Sequence, residues 1–366
     1  MFSLPRRVVF LALLLINLPL LAAEAPRTFP LWDGKEAVEA YAKQVGLPAT
    51  KSIDLGGGVM LDLVLIPAGQ FIMGSAEPAK PSMPVAGANW MIALGGGAAA
   101  LLLLVLAIQC IRKRKFSFSL RFLLLLTITT GLCLGGLARR PLALKEADRY
   151  YFAMRDYHNL MYYAKPAHSE TLTQPFYMGK YTVTQEQYTA LVKINPSYFT
   201  GAKLPVERVS WDDATIFCQK LTGLLNDKLL EARLPTEAQW EYACKAGTQT
   251  HYYSGDLESD LQSVAWFNSN ARLTTHPVGQ KKANSFCLHD MHGNVWQWCQ
   301  DYWKEAYPHL IQVDTHKGSY LEIQRVVRGG CFYSSWWDCF SANRLGSHEG
   351  PSHLTGFRVI VVDLGH

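Results

Sequence analysis

The sequence predicts an α+β domain of short strands and few helices, interrupted by a transmembrane helical hairpin. Three observations carry that expectation. Residues 171–366 consist of short apolar runs bounded by turn residues and dense in Trp and Tyr, with two clearly helical stretches. Residues 61–75 share that character. Between the two blocks lie two apolar runs, each long enough to cross a bilayer, since about 20 helical residues span roughly 30 Å.

Composition sets the outer bounds. A chain of 366 residues with 49% hydrophobic and 12% aromatic content has ample material for a buried core. The formal charge of +5 looks basic, yet Arg6, Arg7, Arg112, Lys113, Arg114, Lys115, Arg139 and Arg140 all flank apolar segments. Membrane topology explains those positions, so no nucleic-acid partner is expected. Eight scattered cysteines without a C-x-x-C pair suggest neither a disulfide scaffold nor a zinc site. One disulfide among Cys218, Cys244, Cys287 and Cys299 is compatible with an oxidising compartment, with no pairing indicated.

Taken in order, residues 1–25 have a basic start, an apolar run and small residues ending Ala23-Glu24-Ala25, which reads as a signal peptide or an N-terminal anchor. Residues 26–60 form an N-terminal extracytoplasmic segment with a short polar helix around EAVEAYAKQVG. The stretch GGGVMLDLVLIPAGQFIMGS alternates apolar residues between glycine turns, predicting two strands of a hairpin, of which 61–75 open the main domain. Residues 90–111 and 118–138 are the predicted transmembrane helices, and the basic loop 112–117 is placed in the cytoplasm by the positive-inside rule. Two crossings return the chain to its starting side, so localisation in a membrane with the main domain extracytoplasmic is expected. Residues 142–165 mix tyrosines and charges at helical spacing and read as a connector helix. In the main block, WDDATIFCQKLTGLL is capped by Ser210 or Asp212, and TEAQWEYACKAG begins at Thr236 and ends at Gly247.

Candidate chemistry concentrates in RGGCFYSSWWDCFSANR, Arg328 to Arg344, where paired glycines lead into an aromatic loop with two cysteines, Cys331 and Cys339. Two converging thiolates can hold a soft metal, whereas one alone usually cannot. In HGNVWQW, Asn294 offers an oxygen to a hard cation or holds the loop by hydrogen bonds, and Gln297 lies three residues on. His348-Glu349 with His353 lacks zinc-motif spacing, and Gly350-Pro351 prevents the helix such a motif needs.

The ordered segments LIPAGQFIMGS, PFYMGKYTVTQEQY, LPVERVSWDDATIFCQKL, RLPTEAQWEYACKAG, HPVGQKKANSFCLHDMHGNVWQWCQDYW, RVVRGGCFYSSWWDCFSANR and GFRVI resemble the formylglycine-generating enzyme family, also called sulfatase-modifying factor domains. The resemblance covers residues 61–75 and 171–361 and implies a fold similar to C-type lectins, with little regular secondary structure and bound structural calcium. For that calcium it points to Asn294 and Gln297, although the family usually has Glu where this chain has Gln297. Catalytic members of the family are understood to bind Cu(I) through two cysteines of the loop and to use O2. Aligned after Gly330, the second cysteine falls on Cys339 and the first on Ser334, with Cys331 as an additional thiol. A hydroxyl is too hard and too weakly acidic to replace a thiolate for Cu(I). The sequence therefore predicts a membrane-tethered, split domain acting as a non-catalytic binding or accessory module toward a peptide, glycan or envelope protein. The alternative is a copper- and O2-dependent oxidase converting a sulfatase-type peptide cysteine to formylglycine through Cys339, Cys331 and Ser334.

Overall fold

A computed structural model describes residues 27–75, 167–303 and 324–364. Helix α1 (Val38–Val45) is followed by strands β1 (Thr50–Asp54), β2 (Met60–Ile66) and β3 (Gly69–Met73). Next come β4 (His168–Leu172), β5 (Phe176–Gly179), α2 (Gln185–Val192), α3 (Trp211–Thr222), β6 (Leu230–Arg233), α4 (Glu237–Lys245) and α5 (Glu258–Gln262). The chain ends with β7 (Trp296–Tyr302), β8 (Gln324–Arg328), a 3-10 turn (Trp336–Cys339), β9 (Arg344–His348), β10 (Thr355–Phe357) and β11 (Ile360–Asp363).

The strands form a five-stranded sheet in the order β1-β2-β5-β11-β6, a four-stranded sheet β10-β7-β8-β9 and a two-stranded ladder β3-β4. Strand β2 shows why it lies inside its sheet. Its first half alternates exposed and buried residues, while Leu63, Val64, Leu65 and Ile66 are all buried where β5 covers the far edge. The edge strand β1 keeps a polar alternation.

The helices follow from their caps and faces. The Ser210 hydroxyl accepts the Asp213 N–H, and the Asp213 carboxylate reaches back to the Ser210 N–H. From that start α3 buries Ala214, Phe217, Cys218 and Leu221, the spacing of one helical face. Thr236 and Gln239 cap α4 in the same way, and this helix is buried on most sides. Its charged residues are paired inside: Glu237 with Arg344 at 2.6 Å, and Glu241 with both Lys245 at 2.7 Å and Arg328.

Two expectations are corrected. The glycine-bounded stretch does not pair with itself: β2 and β3 join different sheets, and the local hairpin is β1 with β2, turned through Gly56, Gly57 and Gly58 at positive φ. The α+β class interrupted by a transmembrane hairpin is corrected in its second part. No helix among the described residues is long and apolar enough to cross a membrane. Segments 1–25, 90–111, 112–117, 118–138 and the connector at 142–165 lie outside the described residues.

The block at 61–75 packs directly on the main domain. Strand β2 pairs with β5, and the Lys245 ammonium donates to the carbonyls of Ile72 and Gly74 at 2.7 and 3.0 Å. The Gly74 N–H in turn donates to Glu241 at 2.7 Å.

Candidate functional site

Strand β8 delivers Arg328 to the base of the cysteine loop. Its guanidinium is buried and donates to the carbonyls of Ser341 and Asn343 at 3.0 and 2.6 Å, so both ends of the loop are held by one side chain. Gly329 and Gly330 then turn the chain at φ 94° and 78°. A Cβ on Gly330 would lie 2.6 Å from the Cys339 sulfur, so the turn places that thiol against bare backbone.

The loop residues named by the sequence are brought together, but not as a thiolate pair. The Ser334 hydroxyl accepts the Cys331 N–H at 3.0 Å and lies 3.4 Å from the Cys331 sulfur, closing a tight turn. Cys331 packs into the main core, whereas Cys339 sits in a smaller cluster with Tyr252, Leu261, Phe267 and Phe340. Both thiols are essentially inaccessible. Burial raises the pKa of Cys331 and pushes that of Cys339 well up, with Asp338 adding to the second effect. Neither sulfur is held as a thiolate, the form that binds a soft metal or attacks as a nucleophile. Among the described residues no three His, Cys, Asp or Glu side chains are grouped to hold a metal, and the six described cysteines are free.

Buried beneath the loop, His292 stacks on Tyr253 at 4.8 Å between ring centres and lies 3.8 Å from the Cys244 sulfur. Burial pushes its pKa down to about 3, so it is neutral at physiological pH.

The two oxygens expected to serve calcium are already engaged. Asn294, at φ 62°, accepts the His276 N–H on its side-chain oxygen at 3.0 Å and donates to the His276 carbonyl at 2.9 Å. The Gln297 side-chain oxygen accepts from Trp240 at 2.9 Å and from Arg358 at 3.1 Å, and its amide donates to the Asp290 carbonyl at 2.8 Å. Two donors fill the lone pairs of that oxygen. As arranged, Asn294 and Gln297 hold loops together and do not fit a cation site.

Two features escaped the sequence reading. Arg358, fully buried, also donates to the carbonyls of Gly179 and His289, each at 2.5 Å. Its only sequence signal is a lone arginine between apolar residues in GFRVI. The second is an aromatic cluster beside the loop, with Tyr198 and His353 exposed and Phe332 buried behind them. Tyr198 meets Phe199 at 5.0 Å, Phe199 meets Phe332 at 5.4 Å, and His353 lies 6.2 Å from Tyr198 and 6.3 Å from Phe332. His353 thus belongs with these rings, while Glu349 is paired with Arg325 at 2.8 Å.

Comparison with known proteins adds relatives to this geometry. A family model described as sulfatase-modifying factor enzyme 1-like domain matches residues 147–362. The chain is 32% identical to chaperone protein LppX of Paenibacillus barcinonensis, over 48% of this chain and 78% of that one. It is 32% identical to the formylglycine-generating enzyme of Streptomyces coelicolor, over 42% of this chain, and spans only 51% of that enzyme. Among solved structures, Treponema denticola variable protein 1 superposes with a TM-score of 0.54 at 22% identity, over 86% of this chain and 99% of that one, a likeness of fold alone.

Proposed function

Since the chain belongs to the sulfatase-modifying factor enzyme 1-like family, we propose that it is a non-catalytic binding module and not an oxidase that makes formylglycine. The observation that carries this reading is Ser334. It stands five positions before Cys339, where the family's copper chemistry needs a thiolate, and its hydroxyl is spent on the Cys331 N–H. The extra thiol, Cys331, does not substitute for it, being buried, raised in pKa and bonded to that serine.

Binding would use an aromatic face made of the exposed rings of Tyr198, Tyr333 and His353, with the half-buried Phe199 and the buried Phe332 packed behind them. Exposed aromatic side chains grouped on loops are a common basis of recognition, because each brings contact area at low cost in side-chain entropy. The name of LppX, a chaperone protein, supports a role in which polypeptide is bound.

Titration of the purified chain with Cu(I) against a competing chelator tests the proposal. The expected result is no tight site and no O2-dependent change in a cysteine-containing peptide. Tight one-to-one binding that disappears in Cys339→Ser, accompanied by peptide oxidation, would overturn it.

A further inference from the structure

We infer that the aromatic face recognises an acidic peptide segment of a partner protein. The inference rests on the non-catalytic binding reading and adds the chemistry of the ligand.

The face is assembled from loops distant in sequence but tied by backbone hydrogen bonds. Phe332 N–H donates to Asn294 at 2.9 Å, Asn268 N–H to Ser334 at 3.0 Å, Arg208 N–H to Ser352 at 2.9 Å and Val278 N–H to Lys203 at 3.0 Å. Residues 193–208, 266–282, 331–340 and 351–354 therefore form one surface. On it Tyr198 is 66% exposed and Tyr333 62%, with Leu273 at 59% and Ile194 at 62%.

Its loops carry more exposed cations than carboxylates, with Lys203 paired to Glu186 of α2 at 2.5 Å. Arg208, Arg272 and Lys282 are exposed in these loops. The loops contain two carboxylates, and neither is presented outward to balance them. Glu207 is fully buried and accepts the Phe199 N–H at 2.8 Å, and Asp338 turns back to accept the Ser335 N–H at 2.9 Å. Like-signed charge around an apolar patch selects a partner of opposite sign and steers its approach.

A peptide fits better than a sugar. Sugar hydroxyls are recognised by polar side chains held ready for them, and two amides of this surface are instead engaged within the protein. Asn195 bonds Gln185 and the Ser197 N–H, and Asn270 bonds the Phe267 N–H and the Ala265 carbonyl. The exposed rings, the aliphatic Leu273 and Ile194 and the cations, set among polar residues such as Thr200, Asn268 and Gln280, complement acidic residues interspersed with apolar ones.

Panning the full chain against a displayed random-peptide library at low salt tests this directly. Selected peptides are expected to be enriched in Asp and Glu beside aromatic or aliphatic residues. The best of them, measured by fluorescence anisotropy, should lose about tenfold in affinity in Arg208→Glu/Arg272→Glu and a similar factor in Tyr333→Ala, and should weaken with added salt. All three sites are exposed, and thermal melts of the variants matching the parent establish that folding is retained. Peptides enriched in Lys or Arg, or without charge bias, would overturn the acidic assignment and leave the binding-module reading intact. So would a chain that selects no peptide but is retarded in a gel containing a neutral polysaccharide, which identifies a glycan ligand. Tight Cu(I) binding with peptide oxidation removes the parent reading itself, by a separate measurement.

Discussion

The thiols of the cysteine loop differ from an ordinary surface cysteine in burial and in the charge state that burial allows. Cys287 is exposed, whereas Cys331 and Cys339 are enclosed and raised in pKa. Iodoacetamide attacks thiolates, so treatment of the native chain at neutral pH is expected to modify Cys287 and to spare Cys331 and Cys339 until denaturant is added. Peptide mass mapping reads the result, and labelling of Cys339 in the native chain would contradict the burial described. His292 makes a second prediction at this scale. Its folded pKa, about 3, is below the unfolded value near 6.5, so the fold binds the neutral ring. The stabilisation is therefore complete above about pH 6.5 and is lost as pH falls toward 3, at roughly 1.4 kcal/mol per unit. Denaturant melts from pH 7 to pH 4 should show this slope in the parent, and His292→Gln should be flatter by that amount. The sequence located the loop through its paired glycines and cysteines. The roles of Asn294 and Gln297 were not readable, because they depend on His276, Trp240 and Arg358, which only the fold brings near.

At the scale of elements, helices with a strong cap and an apolar face were legible in the sequence. Ser210 and Thr236 mark α3 and α4, and both helices start there. Helix α2 carries a capping box at Thr184 and Gln187 but no apolar stripe, since its buried residues include Gln185 and Gln187 with Tyr188, and two polar residues in three do not register as a hydrophobic face. The pairing of β2 and β3 was misjudged for a related reason: their partners, β5 and β4, lie beyond residue 166, and no local pattern reports so distant a register. What fixes β3 is the buried carboxylate of Glu241, which receives Lys245, Arg328 and the Gly74 N–H together. Glu241→Ala would leave two buried cations without that partner and release one backbone donor, a loss of about 3–5 kcal/mol for a broken buried pair. Urea denaturation should register that loss. Amide exchange should show β3 losing protection before β7 and β8, which would mark the carboxylate as the anchor of the N-terminal block.

For the whole molecule, the main question is how a chain split between residues 75 and 167 still completes one domain. The two-stranded ladder supplies the answer: Gly69 to Met73 pair in antiparallel register with Leu172 to His168. Just beyond, the Ala167 N–H donates to the Ser75 carbonyl at 3.1 Å. With Met73 opposite His168, Ser75 stands one residue beyond the ladder register, and this bond holds the two residues that flank the intervening segment within hydrogen-bond distance. The folded domain therefore does not need residues 76–166 to bring its two parts into register, since the ladder, the β2–β5 pairing and the Glu241–Lys245 contacts already do so. Replacing 76–166 by Asn-Gly, which makes a three-residue Ser75-Asn-Gly loop with glycine at the left-handed position, is expected to give a cooperatively folded protein. Its thermal midpoint should lie within a few degrees of the parent's, and closing a shorter loop acts in its favour. Circular dichroism melts of the two chains, with the Glu241→Ala exchange introduced into each, form the check. Cooperative melting in both, with the same loss from Glu241→Ala, would establish that the ladder and its carboxylate anchor join the halves. Failure of the shortened chain to fold would show that the domain depends on the segment it encloses.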